Sequence, residues 1–191
     1  MQIAVTIEDE ALQSLLAELE NPIDALISAG NSVKKLLQAH YVEKNQNEPN
    51  RLGAKRTNFW ADVARSIEGP VVEGNSVSVS ITHPHIMQKI YGGQIKAKKA
   101  KFLTIPIHKD AYNVRAKVFE RESGIDLFFL KTKKAAFLAG NKNGQFQFYY
   151  LLKKSVDQKP WPNSIPTENQ ISEAAKEGGL EALALALSEA L

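Results

Sequence analysis

The chain has 191 residues, 43% hydrophobic and 24% charged, a globular composition that excludes a wholly disordered protein. Its net charge of +3 is mildly basic and does not by itself imply a nucleic-acid partner. It has no cysteine, so it has no disulfide framework and no thiolate chemistry, and a reducing intracellular origin fits.

The start of the chain lacks the basic and apolar regions of a secretory signal, and no apolar run approaches the roughly 20 residues that span a bilayer, so no membrane partner is expected. Residues 2–7 alternate Ile3, Val5 and Ile7 against polar or small neighbours, which predicts a first strand. Residues 8–20 place Leu12, Leu15, Leu16 and Leu19 at helical spacing. Asn21 and Pro22 suit a cap and a first helical position, and the next helix reaches about Lys44. Its apolar face reads Ile23, Leu26, Ile27, Gly30, Val33, Leu37 and Tyr41. Residues 45–57 are polar and predict a loop.

A third helix is expected over 58–67, with Phe59, Trp60, Val63 and Ile67 inward, broken by Gly69 and Pro70. Residues 76–82 alternate strictly, Val77, Val79 and Ile81 against serines and Thr82, which marks a half-buried strand. Glu73, Gly74 and Asn75 form the turn that leads into it. Ile86, Met87 and Ile90 allow a turn or two of helix, and Gly92 and Gly93 allow a sharp corner. A basic stretch holding Lys96, Lys98, Lys99 and Lys101 leads to a second apolar strand over 101–107. The expectation is that strands 76–82 and 101–107 share one antiparallel sheet, flank a projecting loop over 94–100, and pack against the helix from Pro22. Val77, Val79, Ile81, Ile23, Ile27 and Val33 are then buried.

Residues 110–121 fit helix or strand, whereas 125–131 and 135–139 read as strands. Asn141 to Gly144 is a hairpin signal leading into a strand over 145–152. Pro160, Pro162 and Pro166 punctuate an extended or turning segment, and 167–191 reads as one or two helices broken near Gly178 and Gly179. The order of elements is α+β: an antiparallel sheet packed by N-terminal helices, with a C-terminal helix. It reads as a single domain over 1–191, in which 1–48 is an N-terminal strand with helices and 167–191 a helical tail.

Few residues point to catalysis. Histidines 83 and 85 stand two apart, where strand geometry turns them to opposite faces, and His108 is distant; no metal site and no cofactor are expected. Gly92 and Gly93 lack the flanking pattern of a phosphate loop, and no nucleophile elbow surrounds Ser66, Ser123 or Ser164. Glu8, Asp9 and Glu10 suit a helix start. No catalytic residues are assigned. The main charge feature is Lys96, Lys98, Lys99 and Lys101 together with Lys131, Lys133, Lys134, Lys153 and Lys154. Such lysines protect a solvated loop or sheet edge, or they bind nucleic acid when aromatic side chains are interleaved.

The run His85-Ile86-Met87-Gln88-Lys89-Ile90-Tyr91-Gly92-Gly93-Gln94-Ile95, followed by Lys101-Phe102-Leu103-Thr104-Ile105-Pro106-Ile107, resembles the virion morphogenesis family of Mu-like tailed phages and prophages. That family is similar in showing a strand, a short helical corner closed by two glycines, a basic stretch and a strand ending in proline. Residues 127–138 and 149–162 are similar to its later strands and its proline-aromatic corner. This chain departs from the pattern at His83-Pro84-His85-Ile86, where the family has tyrosine and alanine, and at Gln158-Lys159-Pro160-Trp161, where an arginine is usual. The resemblance implies a tail-terminator-like fold and a non-enzymatic role in tail completion or head-to-tail joining. It implies self-association as a ring, often a hexamer, with phage tail or connector proteins as partners, in the host cytoplasm and then in the virion. The expected interaction loop comprises Gly92, Gly93, Lys96, Lys98, Lys99 and Lys101. The alternative is a basic nucleic-acid-binding module.

Overall fold

A computed structural model describes residues 22–48, 50 and 52–190. The strand expected over 2–7 and the helix expected over 8–20 lie outside the described residues. The chain is α+β, with helices and antiparallel sheets. The described residues form two compact units, one from 22–46, 60–86 and 163–190, the other from those of 47–59 and 87–162.

The first unit is built on helix α1, Ile23–Asn47. Its buried stripe is Ala25, Ala29, Gly30, Leu37, Tyr41 and Lys44, while Ile23 and Ile27 are exposed and Val33 is half-buried. The expected inward face holds at Gly30, Leu37 and Tyr41 and is corrected at Ile23, Ile27 and Val33. Small residues line the contact because neighbours come close. A Cβ added to Gly30 would lie 2.5 Å from Pro70 Cβ and 2.6 Å from Val77 Cγ2. Helix α2, Phe59–Arg65, buries Trp60 and Val63, and Tyr41 stacks on Trp60 with ring centroids 5.7 Å apart. Ile67 is buried too, but it opens strand β1, Ile67–Glu73, rather than closing the helix. Gly69 and Pro70 sit at a register shift in that strand, not at a helix end. Strand β2, Ser76–Ile81, pairs antiparallel with β1 across the expected turn. Its serines are exposed, and Val77, Val79 and Ile81 are half-buried rather than buried as expected, because a two-stranded ribbon packed on one side covers them only in part.

The C-terminal helix is continuous through both glycines. Helix α5, Glu168–Ala190, starts at a reciprocal cap: Gln170 N donates to Thr167 Oγ1, and Thr167 N donates to Gln170 Oε1. Gly178 does not break it. A Cβ there would strike Ser32 Oγ and lie 2.8 Å from the Ser28 carbonyl, so the glycine lets α5 approach α1.

In the second unit, helix α3, Ile86–Tyr91, precedes strand β3, Gly93–Lys96, and then β4, Leu103–Pro106. A 3-10 turn, Lys109–Ala111, leads to helix α4, Ala116–Ser123, resolving the ambiguous segment as helical. Strands β5 (Phe128–Lys131), β6 (Ala136–Lys142) and β7 (Gln145–Lys153) follow, then β8 (Ser155–Gln158). Two sheets result, one of order β4-β7-β6-β5 and one of β3 with β8. The expected pairing of 76–82 and 101–107 in one sheet is corrected, because β2 belongs to the β1 hairpin and β4 pairs with β7. Phe119 of α4 packs with Ala111, Ile125, Tyr149 and Tyr150 as the core of this unit. The Tyr150 hydroxyl donates to Val114 O at 2.9 Å, and burial pushes its pKa up to about 12.

Candidate interaction surface

The glycine corner is fixed by its neighbours. Gly92 has φ 70° and Gly93 φ 119°, both at positive φ, which side chains disfavour. A Cβ on Gly92 would collide with the Gln158 carbonyl oxygen and lie 2.9 Å from Pro160 Cδ. Gln88 holds the corner from inside: its Nε2 donates to Gly93 O at 3.1 Å, and its carbonyl accepts from Gly92 N and from Gln158 Nε2. Trp161 N donates to Lys89 O at 2.7 Å, and the Lys89 ammonium lies 4.2 Å from the Trp161 ring centroid and 5.4 Å from that of Phe59. The proline-aromatic segment thus clamps the glycine corner.

The basic stretch differs from the expected projecting loop. Gln94, Ile95 and Lys96 are laddered to Asp157, Val156 and Ser155, and Ala97 N donates to Lys154 O at 3.1 Å. The loop is only 97–102, where Lys98, Lys99 and Lys101 are exposed. Lys101 reaches over Phe102, 5.8 Å from its centroid. The loop joins two strands that pair with successive parts of one β7–β8 run: Leu103 opposes Lys153, and Lys96 opposes Ser155.

The same register gathers the other lysines. Lys131 opposes Ala136, which opposes Leu152, so Lys131, the Lys133 and Lys134 turn, and Lys153 and Lys154 come to one end of the four-stranded sheet. All five are exposed. Topology rather than sequence proximity makes this basic end.

Beside it lies a feature the sequence reading missed. Phe128 opposes Ala139, which opposes Phe148, and Phe137 opposes Leu151. The rings of Phe128 and Phe146, Phe146 and Phe148, and Phe137 and Phe148 pack 6.1, 5.0 and 4.7 Å apart. These four phenylalanines share the sheet face away from Tyr150. Phe146 is 49% exposed, Phe128 42% and Phe148 37%. A register shift between Leu138 and Ala139 leaves Tyr149 as an extra residue on β7, so both Tyr149 and Tyr150 turn into the core. The signal was the alternation of Gln145, Phe146, Gln147 and Phe148, which placed both phenylalanines on one face.

An open cleft of about 390 Å³ is lined by His108, Asp110, Lys142 and neighbouring amides. Within it Lys142 Nζ contacts Asp110 Oδ2 at 2.9 Å, and that hydrogen bond holds the Asp110 carboxyl below its usual range. His108 Nδ1 accepts from Asp110 N, which ties it to its own turn. His85 N donates to His83 Nδ1, and burial, then the neighbouring His85, lower the His83 pKa. Among the described residues no group of three or more His, Cys, Asp or Glu is placed to hold a metal ion. Nor is any helix among them long and apolar enough to cross a membrane.

No protein-family profile, curated protein or solved structure matches the chain.

Proposed function

We propose that this chain is a non-enzymatic structural protein of a tailed phage or prophage, acting in tail completion or head-to-tail joining through ring-like self-association. The observation that carries the reading is the exposed phenylalanine face with lysines gathered at its end. An apolar sheet face of this kind marks an association surface. The phage assignment rests on the resemblance of 85–107, and the clamped Gly92 corner gives those residues a structural purpose. A ring satisfies head-to-tail contacts without open polymerisation. Native mass spectrometry of the full chain tests it: one closed stoichiometry, six copies or another fixed number, is expected. A monomer throughout the micromolar range counts against it.

A second reading, a basic nucleic-acid-binding module, is favoured by the same rings, because aromatic side chains on a sheet beside lysines stack single-stranded bases. Micromolar, steeply salt-dependent binding to an oligonucleotide by a monomeric protein would support it over the first.

A further inference from the structure

The occupant of the phenylalanine face is readable from the C-terminal helix. The outward side of α5 is apolar where a solvated helix would be polar. Leu180 is 54% exposed and Leu187 43%, and they stand seven residues apart with exposed Ala184 between them. That places all three on one stripe. The opposite stripe, with Gly178 and Gly179, meets α1. The outward stripe is also acidic toward its N-terminal end, where Glu173, Glu177 and Glu181 are exposed. Over 168–191 five glutamates stand against one lysine, Lys176.

The sheet face carries the complementary order. Along β6 from Asn141, opposite Phe146, to Phe137 is four residues, roughly 13 Å of strand. The lysine end follows directly. Along α5, Leu187 to Leu180 covers roughly 10 Å of helix, and Glu177 and Glu173 follow in the same direction. The apolar lengths are similar, and along each surface the charged groups follow the apolar stretch, carboxylates on one and ammonium groups on the other. Pairing the phenylalanine face with its own copy leaves the lysines without carboxylates, since 131–134 and 153–154 contain none.

We infer that the Leu180 and Leu187 stripe of α5 in one copy docks on the Phe128, Phe146 and Phe148 face of the next, with Glu173 and Glu177 over Lys133 and Lys134. The contact is heterologous, one surface meeting a different one, which is the kind that closes into rings. It rests on the self-association proposed above and names the two surfaces that make it.

Mixing two full-length variants tests it by sedimentation velocity. Phe146→Ser with Phe148→Ser removes the face; Leu180→Ser with Leu187→Ser removes the stripe. Each alone is expected to be monomeric. Their equimolar mixture is expected to form a one-to-one dimer, because one intact face meets one intact stripe and nothing propagates. Charge reversal gives an independent arm that spares the sheet. Lys133→Glu with Lys134→Glu, and separately Glu173→Lys with Glu177→Lys, are each expected to weaken association at least tenfold, and all four together to restore it. Rings that persist in both serine variants overturn this docking while leaving the ring reading intact. A wild-type protein that stays monomeric overturns both. A monomer that binds oligothymidylate and loses it on Phe146→Ser with Phe148→Ser assigns the face to single-stranded nucleic acid and also overturns the inference.

Discussion

Replacing Gly92 by alanine separates backbone strain from collision at the corner on which the basic segment turns. Gly92 and Gly124 have nearly the same φ, 70° and 68°, but their surroundings differ. Gly124 ends α4 with nothing within 4 Å of an added Cβ, whereas Gly92 faces the Gln158 carbonyl and Pro160. Gly124→Ala then reports the left-handed penalty alone, about 1–2 kcal/mol. Gly92→Ala carries that penalty and must also displace backbone at the end of β8, which is laddered to Gly93 through Lys96. Overpacking of this kind adds about 1–3 kcal/mol. Gly92→Ala is thus expected to lose about 2–5 kcal/mol. Urea denaturation with a shared m value measures the difference, and exchange of the Ala97 amide, bonded to Lys154 O, reports whether the β3–β8 ladder opens first. Equal losses from the two substitutions would refute the claim that β8 and Pro160 hold the corner.

Tyr150→Phe is expected to cost about 1–2 kcal/mol, because it leaves the Val114 carbonyl without its donor, whereas Tyr149→Phe is expected to be neutral or stabilising, since its buried hydroxyl has no partner among the described residues; thermal melts compare them. Burial raises Tyr41 and Tyr150 to about 12 from 10.0, so the unfolded chain ionises first and stability is expected to fall as pH rises from 10 to 12, a fall that Tyr150→Phe reduces. NMR titration is expected to find the Asp110 carboxyl below the usual range and to move it up in Lys142→Gln, with little change in melting temperature because both groups are solvated. Val63→Asp is expected to cost several kcal/mol more than Val79→Asp in denaturant, since Val63 is fully buried and Val79 only half-buried.

Elements with strong local signals were legible in the sequence. The alternation of 76–82 and the long α1 follow from periodicity, and the Asn143-Gly144 hairpin from turn chemistry, both residues adopting positive φ. The α+β class followed from their order. Pairing was not legible. β3 and β8 are four residues each, lack alternating apolar residues on β3, and meet across some sixty residues of chain, so nothing local announces them. The buried face of α1 was read rightly at Gly30, Leu37 and Tyr41 and misread at Ile23 and Ile27, because close approach favours Ala25 and Ala29 there. Gly178 was misread for the same reason: glycine at a helix contact looks like a helix break when the partner is unseen. Of the candidate interaction surface, the lysines were visible but their convergence was not. The phenylalanine face depended on the β7 register shift, which turns Tyr149 and Tyr150 together into the core.

Deleting the coding sequence from the genome that carries it tests the proposed phage role most directly, by electron microscopy and plaque counts of induced lysates. The account predicts heads and unfinished or unjoined tails, with infectivity restored by the wild-type chain in trans and not by the Phe146→Ser with Phe148→Ser variant. Normal yields of intact tailed particles without the protein would contradict it.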